Sequence, residues 1–82
     1  MPGNLSPKEK NLVFFQRELP KLIDDPAYKL KFVIVANEEI KGVYDTFSAA
    51  LEIAAGTFSA DEFVIQQVIS EKDQINFLKA AI

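Results

Sequence analysis

The chain has no cysteine, no histidine and no tryptophan, and only three glycines among its 82 residues. Without cysteine there are no disulfides, thiol nucleophiles or thiolate metal sites, so nothing marks an oxidising compartment and a cytoplasmic location is expected. Without histidine the commonest general base is missing, and with it the zinc-ligand sets and the Ser-His and Cys-His nucleophile pairs. Gly3, Gly42 and Gly56 are too scattered to cradle a phosphate, which excludes a nucleotide loop. No apolar run approaches the roughly 18 residues of a membrane span, and the opening MPGNLSPKEK has neither an apolar segment nor a cleavage pattern. A soluble protein without enzymatic activity or cofactor is the expectation.

What is present is apolar: 49 % of the chain, with seven phenylalanines. That argues against disorder and for one small α+β domain over residues 1–82, with a core thin enough that self-association would help it. The net charge of −3 is uneven: residues 1–41 carry seven basic and six acidic side chains, residues 42–82 two and six. Lys8, Lys10, Arg17, Lys21, Lys29 and Lys31 alternate with Glu9, Glu18, Asp24 and Asp25, which reads as a solvated mixed-charge face rather than a nucleic-acid footprint.

Ser6, Pro7 and Glu9 announce a helix with a capping box and proline at its first position. Leu12, Phe15, Leu19, Leu22 and Ile23 supply its apolar stripe. Pro20 predicts a kink or restarted turn, and the proline of Asp24-Asp25-Pro26 closes the helical region. Leu30–Ala36 then reads as a central strand, because Phe32, Ile34 and Ala36 face one way and Val33 and Val35 the other. Asn37-Glu38-Glu39 forms an acidic corner. After it, Ile40, Gly42 and Tyr44 are expected on one face of a second strand, with Lys41 and Val43 on the other.

Asp45 or Thr46 caps the next helix, whose stripe is Phe47, Ala50, Leu51, Ala54, Ala55 and Phe58. Gly56 falls where a left-handed C-cap residue is wanted. A third strand follows, with Phe63, Ile65, Gln67 and Ile69 on one face and Val64, Gln66 and Val68 on the other. The tail has two readings: a fourth strand over Gln74–Leu78, which we favour, or a short helix capped by Ser70 and Asp73 with the face Ile75, Leu78 and Ile82. A crossover helix brings strand three parallel to strand two, so the expected fold is a two-layer α+β sandwich with mostly antiparallel sheet order 2-1-3 and the helices together on one face.

Carboxylate chemistry is the remaining catalytic option. Its three candidate pairs, Asp24/Asp25, Glu38/Glu39 and Asp61/Glu62, sit at element ends and turns where solvated acids are common. Gly42 reads as a bulge or close-approach site. Gln66 and Gln67 interrupt strand three in its middle, so both faces carry an amide that burial would strand; the strand is therefore expected at an edge, open to pairing with another chain. The candidate interface is Tyr44, Val64, Gln66, Gln67 and Val68. It serves a homodimer or a small companion subunit of another protein. The alternative is a small-ligand site in an apolar pocket between the Phe47 helix and the sheet.

Three stretches, YKLKFVIV (Tyr28–Val35), IKGVYDTFSAALEIA (Ile40–Ala54) and EFVIQQV (Glu62–Val68), resemble a group of short, uncharacterised bacterial proteins related to the domain of unknown function numbered 5678. Those proteins commonly have a glycine where this chain has Leu30. The resemblance implies a small α+β fold and an unassigned role, and it brings no catalytic residue with it.

Overall fold

A computed structural model describes residues 5–70, so both readings of the tail lie outside the described residues. Helix α1 (Pro7–Ile23) starts as its sequence dictates: the Ser6 hydroxyl accepts from the Glu9 N–H and the Glu9 carboxylate from the Ser6 N–H. Those Ser6 hydrogen bonds favour the ionised carboxyl and lower the Glu9 pKa. The helix continues through Pro20 without a restart. Proline removes one bond to the carbonyl of Gln16, but both residues are exposed, so that carbonyl lies where water reaches it.

The connection is held by an Asp25 side chain that accepts from Ala27 N–H and by Tyr28 and Lys29 N–H groups that donate to Asp25 O. It ends at Leu30, whose φ of 66° lies in the left-handed region, and β1 begins only at Phe32 (Phe32–Ala36). The expected strand loses its first two residues there. Leu30 holds the conformation that a glycine takes without cost.

Strands β1 and β2 (Glu39–Tyr44) form an antiparallel hairpin through a two-residue turn, with Asn37 at φ 54° and Glu38 at φ 56°. Both central residues of such a primed turn need positive φ, which Asn adopts readily and Glu only at a steric cost. Glu38→Gly should therefore raise stability by about 1 kcal/mol, read as a shift in denaturant midpoint without a change in slope.

Opposite Ile34 stands Gly42, but opposite Val35 stands Ile40, so Lys41 is an extra residue in a β-bulge. The bulge corrects the expected alternation: Ile40 joins the Val33/Val35 face, while Gly42 and Tyr44 stay with Phe32 and Ile34. A Cβ on Gly42 would lie 2.6 Å from Cε2 of the Tyr44 ring, which folds back over the glycine.

Helix α2 (Phe47–Thr57) is capped by Thr46, whose hydroxyl accepts from Ala49 N–H, while Asp45 pairs with Lys31 instead. Gly56 is no left-handed cap; φ is positive at no described glycine, and the helix ends instead at Phe58 in extended geometry. A Cβ at Gly56 would meet nothing within 4 Å, so Gly56→Ala should stabilise by about 0.5–1 kcal/mol, checked by thermal unfolding.

Strand β3 (Phe63–Gln67) pairs antiparallel with β1, giving the order β2-β1-β3 and an α+β fold. The helices, expected on one face, take opposite faces. Phe15, Leu19 and Leu22 of α1 pack on Val33, Val35 and Val68; Ala50 and Ala54 of α2 pack on Ile34, Ala36 and Phe63. The cause is β1 itself, whose side chains are apolar on both faces and need a cover on each.

α1 also departs from its expected stripe. Its first buried position is Asn11, 1 % exposed, while Leu12 faces outward. The Asn11 amide donates to Glu62 O at 3.0 Å and accepts from Glu38 N–H at 2.9 Å, tying the helix to the hairpin turn and to the entry of β3.

Candidate interaction surface

The two edges of the sheet differ. The β2 edge is kinked by the bulge and carries the Glu39–Lys41 ion pair, in which the Lys41 ammonium lowers the Glu39 pKa. Bulges and charges are the usual guards of an exposed edge. Strand β3, FVIQQ, has neither charge nor proline. Among the described residues no strand lies on its outer side.

Backbone alternation identifies which groups face outward. Val68 donates its N–H to Lys31 O and accepts at its carbonyl from Leu30 N–H. Both its backbone polar groups therefore point toward the β1 side, as do those of Gln66 and Val64, two and four residues back. Those of Phe63, Ile65 and Gln67 point to the open edge, and of these the Gln67 carbonyl is taken by Ile69 N–H.

Beside that edge lies the flank of α2. Its fully buried residues are Ala50 and Ala54, and because they are small the helix sits close to the sheet while its larger side chains stay largely exposed. Phe47 is 50 % exposed, its ring edge-on to Phe32 at 6.3 Å, and Leu51 is 41 % exposed. Phe47, Leu51, Ala60, Phe63 and Ile65 line a groove of about 410 Å³ that continues around the edge to Val64, Gln66 and Lys8.

Of the expected interface, Val64, Gln66 and Gln67 are at this edge and half-buried. The Gln67 amide donates to Leu30 O. Two members do not join them. Val68 is 0 % exposed, packed with Phe15 and the α1 core. Tyr44 lies on β2, two strands away. Phe47, Leu51 and Ile65 lie outside the expected interface; the signal for Phe47 and Leu51 is a helix stripe wider than two alanines need for docking, and that for Ile65 is its place between Val64 and Gln66 on β3.

One carboxylate of each pair is engaged locally: Asp25 accepts from Ala27 N–H, Glu39 pairs with Lys41, and Glu62 accepts from Ser59 N–H, while Asp24 stands at the C-cap of α1, its backbone N–H donating to Leu22 O. Among the described residues no three His, Cys, Asp or Glu side chains gather to hold a metal, no buried side-chain polar atom lacks a partner, and no helix is long and apolar enough to cross a membrane. On the mixed-charge face Arg17 lies over the Phe14 ring at 5.9 Å, and Lys21 approaches Glu18 at 4.0 Å. Compared with known protein families, curated proteins and solved structures, the chain matches none.

Proposed function

We propose that the protein is a non-enzymatic, cytoplasmic interaction module that binds another polypeptide by strand addition at β3, as a homodimer or as a small companion subunit. The observation that carries this is the coincidence of an uncharged, unbulged edge with the exposed apolar pair Phe47 and Leu51 alongside it. Main-chain bonds along such an edge supply affinity, and flanking side chains supply specificity. Tagged full-length chain recovered from its native cells, analysed by mass spectrometry and light scattering, tests it. A stoichiometric complex, with itself or with one foreign protein, that is lost on Leu51→Lys is expected. A bare monomer at every concentration would overturn it.

The lining of the groove supports a second reading. Phe47, Leu51, Phe63 and Ile65 give it the mostly apolar surface that small-molecule sites use. An apolar ligand would then raise the melting temperature of the wild type and not of Leu51→Lys.

A further inference from the structure

No further inference is drawn: the strongest candidate, the apolar groove of Phe47, Leu51 and Ile65 along the β3 edge, belongs to the site already described, and nothing among the described residues shows what covers it.

Discussion

Asn11→Ala should destabilise the protein by about 2–4 kcal/mol, because it leaves the Glu38 N–H and the Glu62 carbonyl without their side-chain partner in a part-buried place. A domain this small has a total stability of about 4–12 kcal/mol, so the loss is a large share of it and lowers the melting temperature by about 10–25 °C. Circular dichroism against temperature and urea measures both. Asn11→Asp separates the two hydrogen bonds. Its carboxylate still accepts from Glu38 N–H but faces the Glu62 carbonyl with a second acceptor, and burial disfavours the charge. Its folded pKa is then raised above the ordinary value of about 3.9, so the folded state binds more protons than the unfolded. The stability of this variant should be greatest below that value, where a protonated oxygen donates to Glu62 O, and fall as pH rises. Wild type has no such dependence at this position. Equal stability of Asn11→Ala and wild type would mean that the staple contributes nothing.

Leu51→Lys should weaken association at the β3 edge by about 30-fold or more, the loss typical of truncating a central apolar anchor and adding a charge to a desolvated groove. Leu51 is largely outside the core, so the folded state tolerates lysine there. Ile53→Lys is the matched control, since Ile53 is as exposed and on the same helix but does not line the groove. Dilution series by sedimentation compare the two. Equal weakening by both variants would place the contact elsewhere on α2 or in its charge.

Both substitutions depend on features that differ in how far the chain alone discloses them. The Ser6-Pro7-Glu9 box, the Phe47 helix and the strand marked by Gln66 and Gln67 are local signals, and the structure has each where local chemistry puts it, the strand outermost among the described residues. Asn11 gives no signal of its own, because Leu12, one residue on, satisfies the same apolar spacing with Phe15 and Leu19. Only the tertiary partners at Glu38 and Glu62, far along the chain, decide which of the two turns inward. The bulge at Lys41 escapes a period-two pattern for a similar reason: one inserted residue moves Ile40 to the other face, and nothing in IKGVY itself announces the insertion. Gly56 shows the reverse case, a residue with a strong preference that its surroundings do not use.

The placement of the helices on opposite faces was legible in β1, whose residues are apolar on both sides, yet a hairpin followed by a crossover is equally compatible with one covered face. In the sequence only the strand announces the interface. Its helical half escaped because Phe47 and Leu51 look like core residues at helical spacing, and it is the smallness of Ala50 and Ala54 that leaves them outside. Val68 illustrates the converse: it alternates correctly but packs under α1 beyond the end of the strand.

Light scattering on the full chain across a range of concentrations tests the central claim most directly. The homodimer form of the interaction module predicts a mass that climbs from 9.2 kDa to twice that value and stops there, with Leu51→Lys remaining at the monomer mass and Ile53→Lys following wild type. A constant 9.2 kDa at every concentration, or a mass that grows without limit, would contradict a closed dimer built on β3.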